Sequence, residues 1–312
     1  MPSAKTALTN CYTPGASDPL NQRINPSSRP CGDGKSGETR SAKAIRRLCL
    51  DRSILTSSTG SALVELGHTK VLCSVHGPRP ATSSTLSTGR EFHSSGVLNC
   101  ELRYAPTFGM RPETKVLTAA TNLDGYNASS SGGTSTSAQE VELSSRLHDA
   151  ISPTVPLDLL MKSVVDVFVM VLQDDGSVFA ASVIAASMAL SDAGVEIYDM
   201  VTACSVALIP RGVNNNRNND AEDEDESGLS KESGFYLLAD PVEDEILAAD
   251  GIVTLAMMSN WKEVTFWDQT GRLPPKVATE AAELCRDGCN AMSKFMRQCL
   301  IDGSTDIAQS KK

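Results

Sequence analysis

Hydrophobic and polar positions alternate most regularly through residues 59–78, TGSALVELGHTKVLCSVHGP. Ala62, Val64 and Leu66 take every second position, Gly67 and His68 form a two-residue turn, and Val71, Cys73 and Val75 alternate again. That pattern predicts a β-hairpin with strands at 61–66 and 70–75. Strand character also marks 48–55 and 96–103, with a Ser/Thr-rich loop over 80–95 between hairpin and last strand. A flexible loop over 121–137 leads to a helix over 138–150. Leu143, Leu147 and Ile151 form its apolar stripe, Val141, Ser144, Ser145 and His148 lie along another side, and Pro153 and Pro156 end it.

Residues 164–172 are almost unbroken apolar sequence, interrupted by Asp166. This is the pattern of a strand covered on both faces. Gly176 then turns the chain into an Ala- and Ser-rich helix over 179–191, whose small side chains permit close packing and which Asp192 and Gly194 close. Strands follow at 201–209, 236–239, 252–258 and 263–267. After Gly271 and the Pro274-Pro275 pair, Val277, Ala281, Leu284, Cys285, Met292, Phe295, Met296 and Cys299 keep helical spacing to about Ile301. The order is an α+β pattern without the regular alternation of a doubly wound sheet.

The flanks differ. Residues 1–40 are rich in Ser, Pro, Asn, Gly and Thr without period, so they are expected to form a disordered tail. One folded domain is expected over 41–302, with a short tail at 303–312 and a disordered, Asn-rich then acidic insert at 213–233.

Composition changes this picture little. With 40% hydrophobic residues but only 4% aromatics, aliphatic side chains must fill the core. The formal net charge of -10 argues against a sequence-specific DNA binder. Much of it is local: 220–226 alone carries six acids, which leaves room for a basic groove elsewhere. No apolar run is long enough to span a membrane and no secretory signal opens the chain. The cysteines are scattered, odd in number and lack a CxxC, which favours reduced thiols in a cytosolic or nuclear protein. Cys285 and Cys289 can share a helix face, but a structural zinc needs four ligands, so no metal is expected.

Several motifs carry possible chemistry. Gly32, Gly34 and Gly37 spell GxGxxG and Gly34-Lys35-Ser36 looks like the end of a P-loop. A P-loop glycine five residues earlier is replaced by Arg29, and no strand-to-helix frame aims amides at a phosphate, so a glycine-rich tail is the default. The GGTSTS of 132–137 precedes a helix, but no cation accompanies it before Arg146. Asp166, Asp174 and Asp175 surround one buried strand and could hold magnesium or act as general acids; Asp174-Asp175-Gly176 equally reads as a turn, and Asp166 needs a partner. No GxSxG motif supports serine catalysis by way of His76 or His93. Arg103, Arg111 and Lys115 follow a strand with Tyr104 and Phe108 among them, a mixture that can track and stack RNA or form a plain surface loop.

The segments TGSALVELGHTKVLCSVHGPR, LNCELRYAPTF, VDVFVMVLQDDGS and AASMALSDAGVEIYDMV, taken together and in this order, resemble the RNase PH family across about 45–301. Within it, GVEIYDMV and LADPVEDEILAADGIVTLAM resemble the eukaryotic RNA exosome ring subunits of the mRNA transport regulator type. The resemblance implies an RNase PH-like (ribosomal protein S5 domain 2-like) fold with duplicated ββαβα-type halves. It implies other RNase PH-like ring subunits, exosome cap proteins and RNA as partners, with location in nucleus, nucleolus and cytoplasm.

Active members degrade RNA from the 3′ end with inorganic phosphate, using a pair of arginines and a serine at the start of the first long helix. In this chain those positions fall on Ala138, Gln139 and Glu140. The family's Asp falls on Asp175 counted from the strand and on Asp174 counted back from Ser177, and both are expected to be vestigial turn residues. The implied function is a non-catalytic scaffold and RNA-path subunit without cofactor or phosphate site, Arg103 and Arg111 contacting RNA. The alternative is an active phosphate-dependent exoribonuclease whose cations come from a partner chain.

Overall fold

The computed structural model describes residues 42–80, 95–105, 138–210 and 235–310, with the two-residue strands β1 (Cys11–Tyr12), β2 (Arg29–Pro30) and β3 (Thr39–Arg40). The loop expected at 80–95 apart from its two end residues, the loop expected at 121–137, nearly all of the expected tail at 1–40, the glycine motifs, the insert at 213–233 and Arg111 lie outside the described residues.

The hairpin signal becomes β5 (Gly60–Leu66) and β6 (Thr69–Pro80), joined by Gly67 at φ +60° and His68. Only a residue tolerant of left-handed backbone turns the chain this tightly. β4 (Leu48–Arg52) pairs antiparallel with β5. β7 (Val97–Tyr104) then leads through α1 (Ala138–Ile151) to β8 (Ser163–Gln173), which lies parallel to β7 and antiparallel to β6. The first sheet has the order β1-β4-β5-β6-β8-β7.

The helix α2 (Val178–Asp192) is buried almost all round. It packs on β5 and β6 on one side and on β9 (Val201–Pro210) on the other, so it forms the layer between the sheets. Its alanines and serines allow that approach. Gly60 shows how close it is: a Cβ there would lie 2.3 Å from the Ala193 nitrogen and 2.5 Å from the Ala189 carbonyl oxygen.

The second sheet runs β10-β9-β11-β12, all antiparallel, from β10 (Phe235–Ala239), β11 (Gly251–Met258) and β12 (Glu263–Gly271). The helix α4 (Pro275–Ser310) covers β9 and β11 and continues to Ser310, well past Ile301, so the expected C-terminal tail is largely helical. A short helix, α3 (Glu243–Ala248), interrupts the second half and was not expected. It is started by Glu245, whose Oε2 accepts the Val242 amide at 3.0 Å. The whole is α+β, as expected, with sheet, helix, sheet and helix in layers.

Two expectations are corrected. The apolar strand 164–172 is not covered on both faces: Val167, Val169 and Val171 are buried, while Phe168, Met170 and Leu172 stay 42%, 43% and 37% exposed. Among the described residues, only one face of the first sheet has a helix on it. The cysteines are not all reduced, because Cys49 is disulfide-bonded. The β1–β4 ladder sets Cys49 opposite Cys11, a relation that spacing along the chain does not reveal. Cys73, Cys100, Cys204, Cys285, Cys289 and Cys299 are free thiols.

Candidate functional site

The start of α1, the end of β7 and the turn after β8 come together at one place. Among the described residues β7 is the outermost strand of its sheet, so one side of its backbone has no strand partner there. Side chains of α1 satisfy it. The Leu102 amide donates to Ser144 Oγ at 2.8 Å, and the Tyr104 amide donates to Glu140 Oε1 at 2.9 Å. Ser144 Oγ in turn donates to the Glu140 carbonyl oxygen at 2.6 Å, the local back-bond open to a serine in a helix. The first turn of a helix favours an anion. Here that anion is the chain's own Glu140, while Ala138 and Gln139 are exposed and uncharged.

The second carboxylate is Asp174. Its Oδ1 accepts the Gly176 amide at 3.0 Å, and its Oδ2 lies 3.4 Å from the Tyr104 hydroxyl, which donates to it. Tyr104 thus stands between Glu140 and Asp174, its amide on one and its hydroxyl on the other. Of the two carboxylates, Asp174 is the one bonded to Tyr104, whose amide is held by Glu140 of α1. Arg146 lies about 9 Å further along the helix axis at the rise of an α-helix. Its guanidinium is held by Asp268 at 2.6 Å and Glu142 at 2.5 Å.

Asp175 points elsewhere, toward a buried arginine that the hydrophobic pattern did not single out. Arg46 Nη1 lies 3.5 Å from Asp175 Oδ2 and donates to the Asp175 carbonyl oxygen at 2.7 Å. Nη2 donates to the Gly176 carbonyl oxygen at 3.1 Å and to Asp240 Oδ1 at 2.8 Å. Thr69 Oγ1 accepts the Asp175 amide at 3.1 Å and donates to the Gly176 carbonyl oxygen at 2.8 Å. Gly176 has φ +83° and Ser177 φ 54°, so this turn is left-handed and fully clamped. Desolvation raises the Asp175 carboxyl above its ordinary value, against the opposing pull of Arg46. Burial also opposes ionisation of Asp240, but Arg46 and Arg40 outweigh it and hold that carboxyl well below the usual range.

The remaining candidates have partners too. Asp166, the odd charge inside the apolar strand, accepts Arg79 Nη2 at 2.5 Å and Asn99 Nδ2 at 2.9 Å. Arg103 is half-exposed on the open face of β7 and forms a salt bridge with Glu101. Cys285 and Cys289 do share a face, toward Cys204. Cys285 Sγ donates to the Val253 carbonyl oxygen at 3.9 Å and Cys289 Sγ to that of Thr202 at 3.5 Å. Among the described residues no group of three or more His, Cys, Asp and Glu is placed to hold a metal ion, and no helix is long and apolar enough to cross a membrane.

Comparison with known proteins agrees with this architecture. Residues 44–196 match the model of the 3′ exoribonuclease family, domain 1. An exosome complex component RRP41-like protein of Arabidopsis thaliana is 30% identical over 277 residues, covering 88% of this chain and 84% of that protein. The exosome complex component MTR3 of Mus musculus is 30% identical over 279 residues, covering 86% and 87%. The crystal structure of rice (Oryza sativa) Rrp46 superposes with a TM-score of 0.61 over 84% of this chain and 98% of that one, at 18% identity, and so shares the fold.

Proposed function

The chain belongs to the RNase PH family of 3′ exoribonucleases, and from that premise we propose that it is a non-catalytic subunit of the exosome core ring. It supports 3′-to-5′ RNA processing and degradation by holding its neighbours and guiding RNA, in the nucleus, nucleolus and cytoplasm where such a complex works. Its partners are other RNase PH-like ring subunits, cap proteins and RNA.

One observation carries the loss of catalysis: Glu140 Oε1 accepts the Tyr104 amide at 2.9 Å at the start of α1. A phosphorolytic site needs cations there to hold a multiply charged nucleophile. This chain offers Ala138, Gln139 and a carboxylate, with Asp174 across Tyr104 as a second one. A phosphate ion would meet two negative groups. Asp174 and Asp175 have structural duties in their turn, one capping the Gly176 amide and one facing Arg46. Neither duty calls for a role in chemistry.

Arg103 and Arg111 are the RNA-path residues of this proposal. Arg103 is tied to Glu101 only by a surface ion pair, worth about 0–1 kcal/mol, which a phosphodiester can displace.

The test is a ring reconstituted with this chain as its sole subunit of unaltered sequence, all others inactivated. No phosphate-dependent release of nucleoside diphosphates is expected, and calorimetric titration with inorganic phosphate should show no binding. Diphosphate release that disappears on Asp174→Ala would establish the alternative, an active phosphorolytic enzyme with cations supplied by a partner.

A further inference from the structure

The disulfide at Cys49 leaves few choices for its other half. Cys73, Cys100, Cys204, Cys285, Cys289 and Cys299 are free thiols, and the chain has nine cysteines, so the partner is Cys11 or Cys31. The β1–β4 ladder sets Cys11 directly across from Cys49, and Tyr12 across from Leu48. Residues paired across an antiparallel ladder have Cα atoms about 4.5–5.5 Å apart. That lies inside the roughly 4.4–6.8 Å that a disulfide spans. Register therefore selects Cys11.

Little besides that bond can keep β1 in place. It is two residues long and stands at the end of the sheet order, with β4 as its neighbour. Two residue pairs make few hydrogen bonds, and each contributes little once water is counted. Against them stands the chain entropy of closing a loop that runs from residue 11 to residue 49. A covalent cross-link removes that opposing entropy. The presence of the strand is thus tied to the state of the bond: while the bond is closed β1 stays paired, and when it is cut the ladder is too short to hold the loop.

The bond is also within reach of solvent. Cys49 is partly exposed, and it shares a cross-strand row with Glu65 and Lys70, whose side chains are 34% and 40% exposed. The core thiols are different. Burial pushes the thiols of Cys73, Cys100 and Cys289 up, so they stay protonated and attack a disulfide poorly. A thiol from solution can therefore open the Cys49 bond, while shuffling into the core is suppressed.

We infer that a Cys11–Cys49 disulfide is a redox latch that fastens the N-terminal segment as the outermost strand of the first sheet. Two equivalents of a soluble thiol open it: the S–S bond breaks, each cysteine sulfur gains a proton, and the two thiols leave as their own disulfide. Glutathione disulfide, or another small disulfide, drives the exchange backwards and closes it. In a reducing compartment the open form prevails. With β1 gone, β4 becomes the rim of the sheet and its backbone on that side loses its strand partner. The opposite rim behaves differently, because side chains of α1 cover the β7 amides whatever the thiol state. One edge of the sheet is closed permanently and the other conditionally.

The experiment equilibrates the full chain in glutathione buffers graded from reducing to oxidising. In the oxidising buffers, non-reducing digestion and mass spectrometry should give two peptides joined through Cys11 and Cys49, and reduction should separate them. Hydrogen exchange of the amides over 48–52 should quicken about tenfold or more on reduction, the order expected when one bond no longer closes a loop of this length. Exchange in β6 and β8 should not change. Cys11→Ser should show the fast exchange over 48–52 in every buffer, while Cys31→Ser should respond as the parent does. A Cys31–Cys49 link, no link at all in the most oxidising buffer, or exchange over 48–52 that ignores the buffer would each overturn the latch. None of these readouts involves RNA or another subunit, so the ring proposal stands or falls separately.

Discussion

The guanidinium of Arg46 grips the carboxylate of Asp240 side-on, Nε to Oδ2 at 2.9 Å and Nη2 to Oδ1 at 2.8 Å. The Arg46 amide adds a third bond to Oδ2 at 2.9 Å. Both side chains are buried, and the pair ties the segment just before β4 to the turn just after β10. Removing one partner leaves a desolvated charge, which costs about 3–5 kcal/mol. Asp240→Asn and Arg46→Met should each lower stability by that order in urea unfolding. The double variant should lose clearly less than the sum of the two, as expected for partners in direct contact.

The same pair predicts an acid limit. The folded-state pKa of Asp240 lies below its unfolded value near about 3.9. Its contribution is therefore complete above that value and is lost as pH falls from there toward the folded-state pKa. Melting temperature should be flat in this contribution at neutral pH and decline below about pH 4. In Asp240→Asn that part of the decline should vanish, which a series of melts at graded acidity would reveal.

Glu140→Ala should expose the Tyr104 amide at the sheet edge. The expected cost is about 1 kcal/mol, the usual net value of one hydrogen bond. Faster hydrogen exchange at Tyr104, with the core strands β6 and β8 unchanged, would locate the effect.

Gly60→Ala should destabilise far more than a surface substitution, by roughly 2 kcal/mol or above, because the new methyl group meets helix backbone rather than a yielding side chain. Denaturant midpoints compared with those of Gly194→Ala, whose Cβ meets nothing within 4 Å but whose φ is +71°, would separate crowding from backbone strain.

In the assembled ring, Arg103→Ala should weaken RNA binding evenly across sequences and reduce the salt slope by about one, as for a lost phosphate contact. Fluorescence anisotropy at graded salt measures both. A sequence-selective loss would assign base contact instead.

Replacing 213–233 with a short turn should leave folding intact, since the flanking residues Pro210 and Phe235 are already opposite one another in the β9–β10 ladder. Circular dichroism and melting should match the parent within experimental error.

Much of this fold was legible in the sequence because local periodicity and tertiary burial agree. The alternation of Ala62, Val64 and Leu66 matches their burial, and α1 begins at Ala138 as expected. What was not legible depends on pairings between distant residues. Arg46 carries no periodic signal, and its partner is 194 positions away. Helix α3 is too short to show a period at all. The open side of β8 looked covered because Phe168, Met170 and Leu172 are apolar although they are exposed. At the candidate site, the resemblance drew attention to Ala138, Gln139 and Glu140, but the use of Glu140 as a partner for Tyr104 could only come from geometry.

The α1 clamp on β7 also limits how this protein can meet others. With the Leu102 and Tyr104 amides already taken, a neighbour finds no vacant backbone donor at those positions of the sheet's rim. Growth of a continuous sheet from one molecule into the next through them is blocked, which guards the chain against open-ended strand stacking before its partners are made. Contacts made by side chains across a broad surface can be specific to one neighbour and can close on themselves. The clamp of α1 on β7 thus disfavours fibre-like addition through these positions.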